Sequence, residues 1–411
     1  MMRATYHEHR SRSGIRIALA HLPDSECTSF SVNLPAGSRD DPPGLAGLAH
    51  FVEHMLFKGT ARRDAKAISI ETENVGASLN AHTSEDVTCY EGRGDADTLA
   101  LLADVLCDMT WNARLDPADI RLEREVIAEE IVMYEESPTD HIGDLLSAAL
   151  WPGHPLGEPI SGTLTSIGRI DRDALYRHVS NHHRRDDLVI AIAGPHEAGE
   201  ILDLLDPLLP SPQPALPSLP FRGLPPGESV RITTRDTQQV QLALAYPSFG
   251  RTDPRRHAMR LLAMILGEGA SSRLFLKLRE ERGLCYHISS DASLLADTGA
   301  LEIHAGLDPE NRDEALALIE AELLDLADRG PTSDELARAK RVAASQHRAS
   351  MENTPNHAAW AADCLLHHGR IVDPHHALAE LVEVHADAVR AIARDLLSQK
   401  RRARAEIRPE A

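Results

Sequence analysis

Two histidines and a glutamate lie close together near the start of the chain, in the segment His50-Phe-Val-Glu53-His54. If this segment is helical, residues four apart share one face, so His50 and His54 can direct their imidazoles to one point. Imidazole nitrogen is a common ligand of Zn²⁺ in proteins. Glu53 lies three residues after His50, where its carboxylate can act on a water molecule beside the metal. The spacing therefore predicts a metal site suited to hydrolysis.

The residues around this segment favour a functional interpretation over a structural one. The predicted helix, about Gly47 to Phe57, is apolar on almost every side and is expected to be buried. Three titratable side chains in a buried helix cost free energy unless they are paired or bind a metal. A hydrogen-bonded cluster in the core is the alternative. The other histidine groups, among them His182 and His183, lack nearby carboxylates and are expected at the surface.

A catalytic zinc site needs a third protein ligand and an open position. The candidates lie on a strongly helical stretch, Pro117 to Glu136, and are Glu123, Glu129 and Glu130. Glu123 and Glu130 are two turns apart and face the same way, whereas Glu129 points about 100° aside. The helical period alone leaves open which carboxylate reaches the metal.

The composition excludes several classes of protein. The chain has 411 residues, of which 42% are hydrophobic and 26% charged, as is typical of a folded protein with two or three domains. A formal net charge of −20 argues against binding to nucleic acid or an anionic membrane. It is typical of a solvated acidic surface, and cationic partners are the alternative. No apolar run of about 18 residues predicts a membrane span, and the N-terminal residues do not form a secretory signal. Five scattered cysteines are typical of a reducing compartment, so we expect a cytoplasmic protein.

A proline-rich segment, residues 207–228, divides the chain into two similar halves. Proline lacks an amide donor and restricts the residue before it, so we expect an extended linker there. An alternating strand pattern at Cys27–Leu34, followed by a turn and an apolar helix, recurs at Val240–Tyr246 with an offset of 212 residues. The sequence therefore predicts two homologous domains, 1–206 and 229–411. Both are of the α+β class, each a mostly antiparallel sheet with helices packed on one face.

The internal repeat indicates whether the titratable residues are needed for the fold or for a functional site. With the offset of 212, the counterparts of His50, Glu53 and His54 are Leu262, Ile265 and Leu266. With an offset of 216, the counterparts of Glu123 and Glu130 are Ala339 and Gln346. The second half keeps the fold pattern without any candidate ligand. We therefore expect the first domain alone to carry the metal site.

Further motifs recur in order over most of the chain. They are Gly47-Leu-Ala-His50-Phe-Val-Glu53-His54, Gly76-Ala-Ser-Leu-Asn80-Ala81, Glu123-Arg-Glu-Val-Ile-Ala-Glu-Glu130, His154-Pro-Leu-Gly157, Ser271-Ser-Arg-Leu-Phe275 and Leu278-Arg279-Glu-Glu-Arg-Gly-Leu-Cys-Tyr286. Together they resemble the pitrilysin family of inverzincin metallopeptidases. The half-length chain is similar to the catalytic-subunit type of the mitochondrial processing peptidase. His82 departs from the pattern, since the family often has an aromatic residue there.

The resemblance implies a role for each matching residue. It implies that His50, His54 and Glu130 bind one Zn²⁺ per chain. It makes Glu53 the residue that takes a proton from water, with Glu123 supporting the site. Asn80 and Ala81 match an edge strand that holds an extended substrate. Arg279 and Tyr286 match a pair that contacts the substrate carbonyl and stabilises the transition state.

The resemblance also implies a function, a zinc-dependent endopeptidase that cleaves peptides or unfolded segments. Cleavage would take place in a clam-shell chamber formed by two chains, as a homodimer or as a heterodimer with a related chain. One alternative is a subunit of a heterodimeric peptidase, for example in processing the peptide precursor of pyrroloquinoline quinone. Another is a peptide-binding member without catalysis. The presence of both the zinc residues and the Arg/Tyr pair in one chain favours an active homodimer.

Overall fold

The computed structural model describes residues 3–217, 219–221, 223 and 227–410, and its alternating strands and helices confirm the predicted α+β class. The strands are β1 (Thr5–Arg10), β2 (Arg16–His21), β3 (Cys27–Leu34), β4 (Ser78–Thr83), β5 (Thr88–Asp95), β6 (Val189–Gly194), β7 (Gly227–Arg235), β8 (Val240–Ser248), β9 (Cys285–Leu294), β10 (Gly299–Leu307) and β11 (Arg401–Pro409). The helices are α1 (Leu48–Leu56), α2 (Ala65–Glu73), α3 (Leu99–Asn112), α4 (Pro117–Glu136), α5 (Pro138–Leu150), α6 (Leu164–Ile167), α7 (Arg172–His182), α8 (Ala198–Leu205), α9 (Arg256–Gly267), α10 (Arg312–Arg329), α11 (Ser333–Ser350), α12 (Thr354–His368), α13 (Pro374–Val382) and α14 (Ala386–Ser398).

The first compact unit comprises Met1–Ile131, Pro159–Leu219 and Arg348–Asp373. Its sheet has the strand order β1-β2-β6-β3-β5-β4. Strands β2 and β6 run parallel, and the other neighbours run antiparallel. Strand β4 therefore lies at an edge of this sheet, paired with β5 on one side.

Helices cover both faces of this sheet. On one face, alternate residues of β3 such as Phe30 and Val32 pack in a large apolar core with Phe51 and Met55 of α1. On the other face, the small side chains of α12, including Ala361, pack against alanines of β2 and β6. The predicted layer of helices is thus present, and α12 adds a second layer on the opposite face.

The second compact unit comprises Val132–Glu158, Pro220–His347 and Pro374–Ala411. Its sheet has the order β7-β11-β8-β10-β9, with β7 and β11 parallel. The same order and pairing hold for β2-β6-β3-β5-β4 of the first unit, so the five strands correspond one to one. Helix α9 is buried against this sheet as α1 is in the first unit, and α5 packs on its other face. The shared topology confirms the predicted duplication.

The compact units and the predicted domains are divided differently. Residues 132–158, from the first half of the sequence, pack in the second unit, and residues 348–373 pack in the first. An apolar stripe predicts that a helix is packed, but it does not indicate on which sheet. The sequence analysis therefore assigned each helix to the domain formed by its own half of the chain. The domain boundaries and the linker 207–228 stay predictions, and residues 218, 222 and 224–226 lie outside the described residues.

Two further expectations concern the chain as a whole. Within the described residues, none of the helices is both long and apolar enough to cross a membrane. All five cysteines are free thiols, and Cys27 is exposed whereas the other four are buried.

Candidate active site

The first turn of α1 is fixed by a buried carboxylate that the sequence did not reveal. Asp41 accepts hydrogen bonds from the backbone N–H groups of Gly47, Leu48 and Ala49, at 2.8 to 3.0 Å. These are donors that a helix leaves without partners at its N-terminus. Burial raises the pKa of Asp41 to about 8, while the three backbone donors act in the opposite direction. Asp41 therefore fixes the start of the helix that carries the histidines.

Gly47 is the residue that allows the chain to enter α1 at this angle. Its φ is +90°, in the left-handed region that favours glycine. A Cβ at this position would lie 2.5 Å from the backbone oxygen of Ser161. Any other residue here would therefore displace the start of α1 or the loop beside it.

Helices α1 and α4 bring three potential metal ligands together. The Nε2 atom of His50 lies 3.9 Å from one carboxylate oxygen of Glu130, and the Nε2 atom of His54 lies 3.6 Å from the other. Among the described residues, these three form the one group of histidine, cysteine or acidic side chains whose ligand atoms converge within 4.8 Å. Of the three carboxylates on α4 that the helical period left open, Glu130 is the one that meets both histidines.

The burial pattern of α4 explains why Glu130 faces the histidines and Glu129 does not. Ile120, Ile127 and Ile131 are buried along one side of the helix. Glu130 is half-buried beside this side, whereas Glu129 is exposed. Arg124 holds α4 in place, because its guanidinium stacks over the Phe51 ring of α1 and donates hydrogen bonds to backbone oxygens of residues 167 and 170.

Glu123 contacts the other side of His54. Its carboxylate lies 2.8 Å from Nδ1 of His54 and forms an ion pair with Lys58. Burial opposes the ionisation of Glu123, but these two contacts outweigh it and lower the pKa of the carboxyl. An ionised Glu123 that accepts from Nδ1 leaves Nε2 of His54 directed at Glu130. This is the carboxylate–histidine arrangement that commonly supports metal ligands.

The protonation states of the histidines suit metal binding. Burial, and to a lesser extent the neighbouring His54, lower the pKa of His50 to about 4, so its imidazole is neutral at neutral pH. Burial also opposes the charged form of His54, but the hydrogen bond and charge of Glu123 raise its pKa. Metal ligation requires the neutral imidazole, and a bound cation would favour it at His54.

Glu53 lies on the same helix, facing strand β4. The hydroxyl of Thr83 donates a hydrogen bond to its carboxylate. Burial raises the pKa of Glu53, while the hydrogen bond from Thr83 lowers it in part. A carboxylate with a raised pKa is a better proton acceptor than an ordinary glutamate, as general acid–base catalysis requires.

Strand β4 lies beside this carboxylate and carries the two predicted substrate residues. Asn80 is exposed and Ala81 is half-buried against the core. Because β4 pairs with β5 alone among the described strands, its other edge is available for a further strand.

The second predicted pair lies in the second unit. Arg279 is in a π-helical turn, Phe275–Glu280, and Tyr286 is near the start of β9. The Arg279 guanidinium lies over the Tyr286 ring, 5.3 Å from its centroid, and Tyr286 is 78% exposed. The two side chains therefore form a contact pair, and their contact with substrate stays a prediction.

The donor set of the converging group fits Zn²⁺. Two imidazole nitrogens and one carboxylate are a common combination of protein ligands at catalytic zinc, with a fourth position open. Donor atoms around a tetrahedral zinc lie about 3.4 Å apart, close to the 3.6 and 3.9 Å separations between the histidine nitrogens and Glu130. His50 offers a neutral imidazole, His54 an imidazole that contacts Glu123 through Nδ1, and Glu130 a carboxylate.

Three contributing residues were missed by the sequence analysis, Asp41, Lys58 and Thr83. Asp41 stands in an Asp-Asp-Pro turn before an apolar helix, a pattern typical of helix N-termini that could have indicated it. The other two act through contacts between residues distant in the chain, which no local pattern reports.

One sequence expectation was wrong. His182 and His183 are buried, not at the surface, and His183 is only 1% exposed. They lie at the end of α7 against α3, where the His183 carbonyl accepts a hydrogen bond from the Trp111 indole. Because the neighbouring residues in the sequence are polar, the local pattern does not predict that these histidines are buried.

Comparisons with known proteins agree with the fold. The family model described as "Insulinase (Peptidase family M16)" matches residues 16–164, and the one described as "Peptidase M16 inactive domain" matches residues 169–342. An uncharacterised zinc protease of Streptomyces coelicolor is 34% identical over 395 residues, covering 94% of this chain and 86% of its own. The Bacillus subtilis protein YmxG, also named an uncharacterised zinc protease, is 29% identical and covers 94% and 95%.

Solved structures show the same fold. A peptidase M16 inactive domain from Pseudomonas fluorescens superposes with a TM-score of 0.91 at 20% identity, covering 99% of both chains. A protease from Helicobacter pylori gives a TM-score of 0.90 at 19% identity, covering 99% and 100%. With the two family models and a relative of 34% identity, the resemblance seen in the motifs is confirmed, and the chain belongs to peptidase family M16.

Proposed function

We propose that the chain is a zinc-dependent endopeptidase that cleaves peptides or unfolded polypeptide segments. The observation that carries this proposal is the convergence of His50, His54 and Glu130 beside the half-buried carboxylate of Glu53. The names of the relatives support zinc and proteolysis at the level of the family.

The chemistry divides between the metal and Glu53. A Zn²⁺ ion bound by His50, His54 and Glu130 would acidify a water molecule and polarise the substrate carbonyl. Glu53 accepts the proton of the attacking water and delivers it to the leaving amine. Thr83 holds the carboxylate in place through its hydroxyl, and Glu123 orients His54 without binding the metal itself.

Substrate binding is assigned to the edge of β4. An extended peptide that adds to this edge gains main-chain hydrogen bonds beside Asn80 and Ala81, whatever its side chains. Arg279 and Tyr286 are proposed to contact the substrate carbonyl, where a phenol and a guanidinium stabilise developing negative charge. Members of the family often assemble from two chains, and we propose a homodimer here.

The proposal is tested by metal analysis together with cleavage of a peptide library, before and after treatment with a chelator. We expect one zinc per chain, cleavage that stops on chelation, and recovery when one equivalent of Zn²⁺ is restored. Cleavage that continues after the zinc is removed would contradict the proposal. Stoichiometric zinc without cleavage would instead indicate a subunit that needs a related partner chain, and native mass would then identify the assembly.

A further inference from the structure

Strand β4 presents two different faces to any peptide that binds at its edge. Leu79, Ala81 and Thr83 face α1, where Leu79 and Ala81 pack on the core and Thr83 bonds Glu53. Ser78 and Asn80 face the opposite way and are exposed. The side chains of a bound peptide strand also alternate between the two faces of the sheet. Every second substrate side chain would therefore lie on the face away from α1.

That opposite face contains a cavity of about 270 Å³. It is lined by Ser78 and Asn80 of β4, by Glu91 and Arg93 of β5, and by Pro355 and Ala358 at the start of α12, among other residues. The register of the sheet pairs Asn80 with Glu91 and Ser78 with Arg93. The cavity therefore begins at the substrate edge and extends across β5 to β3, where Ser29 and Ser31 also line it.

Glu91 is the acidic group that lines this cavity. Its side chain is half-buried, and it has neither a hydrogen bond nor an ion pair with the residues that the structure describes. Arg39 and Asp86, which are buried in the same unit, form an ion pair at 2.6 Å. A carboxylate that lines a cavity without a partner can form charge-assisted hydrogen bonds with a positively charged ligand.

Around Glu91, Arg93 opposes a cation, whereas acidic residues beyond Arg93 favour one. Arg93, two residues along the same face, is exposed and forms no ion pair with Glu91 or with other described residues. It borders a neighbouring cavity of about 730 Å³ whose other charged residues, Asp24, Glu26, Asp95 and Glu352, are all acidic.

We propose that this cavity is a substrate subsite that selects lysine or arginine at one position of the bound peptide. The selected residue is the one beside Asn80 on the face away from α1, and its side chain crosses β4 to reach the Glu91 carboxylate. Two strand spacings separate the substrate strand from β5, about 9.6 Å, a span that a long basic side chain and Glu91 can bridge together. Arg93 opposes the same cation by like charge.

The inference rests on the proposed peptidase function and names a feature of its substrates. Thr83, which contacts Glu53, is three residues from Asn80 along β4. The basic residue should therefore lie a few residues from the cleaved bond, always on the same side of it.

The test is a cleavage-site profile of a randomised peptide library, read by mass spectrometry for the zinc-loaded wild-type protein and for two variants. We expect one position at which lysine and arginine raise kcat/KM about three- to tenfold over alanine, as for a charge-assisted contact near the surface. Glu91→Gln should abolish this preference at that position. Arg93→Gln should increase it, because the competing cation is removed.

A control variant and salt complete the experiment. Glu73→Lys, a larger charge change on the exposed end of α2, should leave the profile as in wild type. Salt should weaken the preference, since mobile ions screen exposed charges. A flat profile at every position, or a basic preference that survives Glu91→Gln, would overturn the subsite while cleavage itself still supports the peptidase. Failure of the wild-type protein to cleave any peptide would instead overturn the proposed function.

The same question is answered without turnover by peptide binding to the zinc-loaded Glu53→Gln variant. A peptide with lysine at the selected position should bind about three- to tenfold more tightly than its alanine counterpart. Adding Glu91→Gln should make the two affinities equal. Equal affinities before Glu91 is changed would contradict the subsite.

Discussion

Helices α1 and α9 occupy equivalent places in two sheets of the same topology, yet their contents differ. In α1, His50, Glu53 and His54 face the candidate metal site, and in α9 the counterparts Leu262, Ile265 and Leu266 are buried and apolar. The fold therefore does not need polar residues at these positions, since the second unit is packed without them. The difference supports the proposal that the titratable cluster of the first unit serves chemistry.

The partner helices differ in the same way. Glu123 and Glu130 of α4 correspond to Ala339 and Gln346 of α11. Ala339 is buried in the apolar core, and Gln346 bonds Glu268 and Arg260 in a polar network on the same unit. The second unit thus lacks acidic or histidine counterparts of Glu123, Glu130 and the two histidines together.

The largest effect is expected at Glu130, the proposed metal ligand on α4 that has no acidic counterpart on α11. Glu130→Gln should remove stoichiometric zinc and lower kcat/KM by about a thousandfold or more, as for other groups that a catalytic unit cannot lose. Glu129→Gln changes the adjacent but exposed residue and is the matched control, with metal content and activity as in wild type. Atomic absorption and peptide cleavage measure both. Equal losses of zinc and activity in the two variants would contradict the assignment of Glu130 as a metal ligand.

Exchanging residues between α1 and α9 tests how the polar cluster affects the free energy of unfolding. Leu262→His should lower the free energy of unfolding by about 2–5 kcal/mol, because it leaves a polar ring in an apolar core. His50→Leu in the metal-free protein should leave stability unchanged or raise it, since Nδ1 of His50 is buried without a hydrogen bond partner among the described residues. Urea unfolding in the presence of a chelator compares the two. A similar loss in both would show that His50 serves the fold.

A smaller effect is expected at Glu123, whose counterpart is alanine. Glu123→Gln should weaken zinc binding about 10- to 100-fold without removing the site, because His54 loses the carboxylate that orients it. Glu125→Gln, on the exposed side of the same helix, is the control. Competition with a chromophoric chelator measures the affinities. If zinc is lost as completely as in Glu130→Gln, Glu123 would be a ligand itself.

The smallest expected effect is a shift in the pH profile. Glu53 must be ionised to accept a proton, so activity falls as the pH drops through its pKa. Thr83→Val removes the hydrogen bond that lowers this pKa, and the acid limb of kcat/KM should move to higher pH. Thr83→Ser keeps the hydroxyl and should keep the limb near its original position. If the acid limb lies at the same pH in all three proteins, the Thr83 hydroxyl does not affect the pKa of Glu53.

Local pattern was sufficient to predict much of this structure. Helix α4 has the bounds that its periodicity predicts, and strand β3 coincides with its alternating residues, because both patterns reflect packing on one face. The two histidines of α1 were likewise predictable, since their spacing fixes a shared helix face.

What local pattern could not supply depends on how elements pack. Glu123 and Glu130 share a helix face, so only the packing of α4 against α1 decides which meets the Nε2 atoms and which meets Nδ1. The burial of His183 depends on α3, far away in the chain. Helices α5 and α12 have apolar faces, and only the tertiary structure shows that α5 packs on the second sheet and α12 on the first.

We propose that the first unit binds zinc and that Glu53 supplies the proton transfer, and the Glu53→Gln variant tests both most directly. Zinc content and peptide turnover should be measured on the same sample. We expect one zinc per chain, as in wild type, and a kcat lower by about 10²- to 10⁴-fold. Turnover at the wild-type rate in a folded, zinc-loaded Glu53→Gln protein would contradict this proposal.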